Sequence, residues 1–117
     1  MRLIIAGGRD FNDYGLLKEK LDNLLKNKKD EPIEIVSGKA RGVDTLGERY
    51  AKEMGYSIKE FPADWETHGK SAGHIRNKQM GEYATHCVCF WDGKSKGTKN
   101  MIDTSKKLGL ELRIINY

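Results

Sequence analysis

Ile33-Glu34-Ile35-Val36-Ser37-Gly38-Lys39-Ala40-Arg41-Gly42-Val43-Asp44 reads as a short apolar strand, a glycine-bearing turn and the opening of a helix. A β-branched run too short for a helix suits a strand buried on both faces. Behind the turn, Val43, Leu46, Tyr50, Ala51 and Met54 recur at helical spacing, and Gly55 suits a left-handed stop.

The same succession continues in both directions. Upstream, residues 2–6 form an apolar strand, followed by a helix over 14–26 with Leu17, Leu21, Leu24 and Leu25 on one face and Asn12 or Asp13 as its cap. Lys26, Lys28 and Lys29 suit the negative end of that helix. Downstream, a strand over 56–61 stops at Pro62, and 63–73 reads as irregular. A helix over 74–83, a strand over 85–91, a helix over 99–108 stopped by Gly109, and a strand over 111–115 complete the chain. Short apolar strands alternating with helices predict an α/β architecture, a Rossmann-like three-layer domain covering 1–117. Its five-stranded parallel sheet would have the order 3-2-1-4-5, with helices on both faces. Right-handed crossovers put every strand-to-helix loop on one edge, where such folds bind ligands.

Three of those loops carry glycine beside basic or hydroxyl side chains: Gly7-Gly8-Arg9-Asp10, Ser37 to Gly42, and Asp92-Gly93-Lys94-Ser95-Lys96-Gly97-Thr98. Glycine lets an oxygen-rich ligand approach the main chain, and a following helix start offers free N–H groups. In the strand order above the three loops are neighbours, so they would converge on one anion, a nucleotide phosphate.

Net charge is +4, from 21 Lys+Arg against 17 Asp+Glu, which suits an anionic partner without demanding nucleic acid. Arg9, Lys39, Arg41, Lys70, Arg76, Lys94, Lys96 and Lys99 fall in or just after the loops. Apolar runs fall far short of the roughly 20 residues that span a bilayer, and 3–6 is interrupted at once by Gly7-Gly8-Arg9-Asp10, so no membrane or secretory segment is expected. The expected compartment is the cytoplasm. Cys87-Val88-Cys89 lacks a second cysteine pair, which argues against zinc and for apolar filling. Neither a metal nor a cofactor is expected.

Among candidate site residues, Gly7, Gly8, Arg9 and Asp10 follow the first strand. The glycines either meet the ligand or simply make the turn. Ser37, Gly38, Arg41 and Gly42 could wrap a phosphate with backbone N–H groups, Arg41 adding a bidentate clamp. Asp44 either caps the second helix or accepts from a ribose hydroxyl. Ser95, Gly97 and Thr98 open the last helix and either hold a phosphate or cap that helix. Trp65 either covers the sheet edge or stacks on a base. Lys70, Arg76 and Asn77 follow as polar contacts.

The stretches "IIAGGRDF", "IVSGKARGVDTLGERYAKEMG", "FPADWETHGKSAGHIRNKQM" and "CFWDGKSKGTKNMI" together resemble the YspA-like branch of the SLOG superfamily, which also includes the DNA-processing protein Smf/DprA and the LOG phosphoribohydrolases. The resemblance runs along nearly the whole chain. It implies a Rossmann-like domain that binds a nucleotide or nucleotide-derived ligand, in a bacterial or phage-encoded protein. LOG enzymes carry P-G-G-x-G-T-x-x-E, and Met101 stands here at the position of that glutamate. A thioether cannot transfer a proton as a carboxylate does.

Three functions follow as expectations. The first is binding of a small nucleotide, for sensing, sequestering or processing. The second is an N-glycosidic hydrolase in which Asp10, Asp44, Asp64 or Asp92 replaces the missing glutamate. The third is single-stranded DNA binding along the basic edge. A homodimer through the outer helices also suits such a fold.

Overall fold

A computed structural model of the chain describes residues 1–28 and 30–117; Lys29, expected to close the first helix with Lys26 and Lys28, lies outside the described residues. The elements run β1 (Arg2–Gly7), α1 (Tyr14–Leu25), β2 (Glu34–Ser37), α2 (Val43–Met54), β3 (Ser57–Glu60), α3 (Trp65–His68), a 3-10 turn (Gly69–Ser71), α4 (Ala72–Tyr83), β4 (His86–Trp91), α5 (Lys96–Leu108) and β5 (Glu111–Asn116). The described strands form one five-stranded sheet in the order β3-β2-β1-β4-β5. Every neighbouring pair is parallel. The α/β Rossmann-like topology read from the sequence is the one observed.

Side-chain alternation along the strands divides the core in two. Leu3, Ile5, Ile35, Val88 and Phe90 point to the face covered by α1 and α2, through Leu17, Leu21, Val43 and Tyr50. Ile4, Ala6, Val36, Cys87 and Cys89 point to the other face, where Met80 of α4 and Met101 and Ile102 of α5 cover them. The central strands are therefore apolar on both sides, which is why they read as unbroken runs rather than alternating ones.

Helix ends follow local chemistry. The Asp13 side chain accepts from Leu16 N at 3.0 Å and fixes the start of α1. Gly55 and Gly109 end α2 and α5 in the left-handed conformation. Most boundaries fall within one or two residues of expectation, and two regions differ more. Residues 63–73 are not irregular throughout, because Asp64 accepts from Thr67 N at 3.1 Å and nucleates the single turn of α3, from which α4 soon follows. The last helix begins at Lys96 rather than Lys99, with Ser95 as its cap. No helix among the described residues is long and apolar enough to cross a membrane.

Candidate functional site

The first two glycine loops are bolted together by backbone. Val43 N donates to Gly8 O at 3.2 Å, directly behind the turn at Gly42. Gly42 has φ +78, and a Cβ there would collide with the carbonyl oxygens of Gly8 and Arg9. Only glycine lets the second turn pass this close to the first.

Between its ends, the second turn is held from inside. The Ser37 hydroxyl donates to Glu48 Oε2 at 2.6 Å, and Lys39 Nζ reaches Glu48 at 3.0 Å and Glu60 at 2.9 Å. Lys39 sits in the left-handed region with φ 60, and its N–H bonds to Ser37 Oγ at 3.2 Å. Ser37 and Lys39 thus shape the turn and tie it to α2 and β3. Asp44 does not cap α2; its Oδ2 accepts instead from Ala40 N at 3.1 Å, a donor of the turn itself.

A hydrogen-bonded ladder then crosses to the other half of the sheet. An Arg76 terminal nitrogen donates to Gly38 O, and Arg76 Nε donates to Asn77 Oδ1 at 3.0 Å. Asn77 Nδ2 donates to Asn100 Oδ1 at 2.9 Å and to Gly97 O at 3.3 Å. Glycine at 38 leaves room for this ladder, since a Cβ would sit 2.6 Å from Arg76 Nη1 and 2.9 Å from Asp44 Oδ2 and would push both side chains aside. Asp44 is 6% exposed, and burial pushes its carboxyl up to about 6 against the opposing pull of the Ala40 N–H and the Arg76 charge.

The third loop satisfies part of itself. Asp92 Oδ1 accepts from Lys94 N and Ser95 N, both at 2.8 Å, and Ser95 Oγ accepts from Thr98 N at 3.4 Å. Those three amides are occupied by the protein. Among the described residues the Gly97 N–H bonds to no acceptor, so it stays available at the positive end of α5.

The result is a cleft of about 500 Å³ at the carboxyl edge of the sheet. Gly7, Gly8, Arg9, Asp10, Asp44, Trp65, Lys70, Arg76, Asn77, Ser95, Gly97 and Thr98 line it, so most of the expected site residues are brought together. Gly38 and Arg41 line a second cleft of about 530 Å³ instead, on the far side of Arg76. Ser37 and Gly42 line neither and support the turn from behind. Trp65 does not cover the core; it is 51% exposed and borders both clefts. Of the other loop cations, Lys94 lines the first cleft, while Lys99 pairs with Asp103 at 2.7 Å away from either.

Some lining residues lie outside the expected set. Met80 contributes apolar surface and His74 a polar wall, while Asp92 and Met101, both singled out from sequence, line the cleft as well. Tyr117 closes one end, its ring 4.8 Å from that of Phe11 and its hydroxyl over Gly8. The parallel topology held the signal for Tyr117, because a residue just past the fifth strand must emerge on the ligand edge.

A model of the YspA, cpYpsA-related SLOG family matches residues 1–68, which include the first two loops and Trp65. The Gene 61 protein of Mycobacterium phage D29 is 32% identical over 122 residues, an alignment covering 99% of this chain and 95% of the phage protein. No solved structure gives a significant match.

Proposed function

The chain belongs to the YspA, cpYpsA-related SLOG family, and from that premise we propose that it binds a nucleotide or nucleotide-derived ligand in the cleft at the carboxyl edge of the sheet. One observation carries the reading: the start of α5 and the cations Arg9, Lys70, Arg76 and Lys94 share a single cleft with Asp10, Asp44 and the exposed ring of Trp65. A phosphate would sit at the start of α5, on the Gly97 N–H and the hydroxyls of Ser95 and Thr98. The carboxylates suit sugar hydroxyls, and Trp65 offers a face on which a base stacks. The volume lies within the roughly 300–1,000 Å³ usual for small-molecule sites.

Ligand-free protein should gain about 2.7 kcal/mol of stability at a hundredfold excess of the bound nucleotide over its dissociation constant. Thermal melts against mono-, di- and cyclic nucleotides and ADP-ribose test this. A flat response across the whole panel would refute it.

A second reading, N-glycosidic hydrolysis, draws on Asp44. Met101 cannot serve as the acid, but Asp44 is a buried carboxyl in the same cleft with its proton affinity raised toward neutrality. Chromatography of nucleotide incubations should then show released base, lost in Asp44→Asn. Binding without any base release over long incubation leaves only the first reading.

A further inference from the structure

The second cleft has a different character from the first. Arg9, Lys39, Arg41 and Arg76 line it together with Trp65, and no carboxylate is among its described lining residues. The first cleft mixes its cations with Asp10, Asp44 and Asp92. Mixed walls suit the hydroxyls and ring nitrogens of a nucleoside, whereas walls of a single sign concentrate an anion.

The two spaces adjoin. Arg9, Ala40, Trp65 and Arg76 line both, so one molecule can extend from one into the other. Arg76 forms the dividing wall and is fixed there by its bonds to Gly38 O and Asn77 Oδ1. A guanidinium has five N–H donors, so those two bonds leave others for a ligand that passes it. Arg41 is exposed and makes no ion pair among the described residues, unlike Lys39, whose charge is shared with Glu48 and Glu60.

We propose that the ligand carries a second phosphate group, which passes the Arg76 wall and seats against Arg41 in the adjoining cationic cleft. This rests on the nucleotide reading above and deepens it. The shared chemistry, two phosphates on one nucleotide, has three sources. The second phosphate can follow the first as a 5′-diphosphate, lie across the sugar as a 3′,5′-bisphosphate, or link a second nucleoside in a 5′-phosphorylated dinucleotide.

Calorimetric titration with these three forms and the matching 5′-monophosphate, for adenine, guanine, cytosine and uracil, distinguishes them. The readout is the affinity ratio between each two-phosphate ligand and its monophosphate. In the wild-type protein at least one ratio should reach about tenfold, the effect of one good charge-assisted hydrogen bond. In Arg41→Ala that ratio should fall to about one. In Lys99→Ala, which removes the same charge outside both clefts, it should persist. If monophosphates bind and the second phosphate adds nothing, or if the gain survives in Arg41→Ala, the inference fails while the nucleotide reading stands. If no nucleotide binds at all, both fall together.

Discussion

Asp44 Oδ2 accepts the backbone N–H of Ala40 at 3.1 Å, which places a buried carboxyl against the inside of the second turn. Burial raises its proton affinity from the ordinary value of 3.8 to about 6. The folded chain therefore holds this proton more tightly than the unfolded chain. Folding is coupled to proton uptake between those two values, so this group's stabilising contribution is present below about pH 4 and is lost as pH rises toward 6. The loss is on the order of 3 kcal/mol. Asp44→Asn, which keeps an acceptor for Ala40 N, should abolish this part of the pH slope and be at least as stable as wild type at pH ~7.5. Urea melts at several pH values measure it; an unchanged slope in the variant would assign the dependence elsewhere.

Gly42 and Gly55 both have positive φ, +78 and +76, but only Gly55, with ψ 21, is left-handed helical; Gly42, with ψ −126, lies where side chains are strained further. An alanine at Gly55 meets nothing within 4 Å, so it should cost only the left-handed backbone strain, about 1 kcal/mol. At Gly42 the methyl would also strike the carbonyls of Gly8 and Arg9, and the cost should exceed about 3 kcal/mol. Equal costs in chemical denaturation would mean that the contact between the first two loops is soft.

Arg76→Ala strips a donor from Gly38 O and another from Asn77 Oδ1. Each acceptor left unsatisfied costs about 1–3 kcal/mol where water cannot reach it. The Arg76 charge also holds the Asp44 carboxyl down against burial. In the variant Asp44 should therefore titrate at higher pH than in wild type, as followed by the NMR shift of its carboxyl carbon. An unmoved titration would show that the two side chains do not sense each other.

Trp65 is 51% exposed, so Trp65→Ala should alter stability by no more than about 0.5 kcal/mol. If the ring stacks on a base, the same change should weaken nucleotide binding by about 1–3 kcal/mol. Fluorescence titration resolves this, since Trp91 is partly buried with its Nε1 bonded to Ser95 O and gives a second, more sheltered signal. Undiminished affinity would remove Trp65 from the site.

The fold was legible because its information is local. The spacing of Leu17 and Leu21, the cap at Asp13, the glycine stops and the apolar runs each specify an element without reference to the rest of the chain. The turn of α3 was missed although its cap, Asp64 accepting from Thr67, is also local; the Trp and the flanking glycine obscured so short a pattern. The start of α5 lies earlier than helical spacing alone suggests because Gly97 is a poor helix former, although Ser95, named from sequence among the residues that could cap it, is the cap observed. What the sequence could not reveal is the pairing of distant groups. Ser37 and Lys39 engage Glu48 and Glu60, and Arg76 reaches Gly38 across the fold. That pairing is what splits the expected single cradle into two adjoining spaces.

Cys87 and Cys89 are 1% and 0% exposed in the strand beside the sheet's centre, their sulfurs 3.6 Å apart. An alkylating reagent can reach them only when the cover of α4 and α5 comes off that face of the sheet, so its rate of attack follows those openings. The chain thereby carries its own built-in timer: any compound that holds it shut lengthens the delay before the thiols react, whether or not that compound is ever chemically altered.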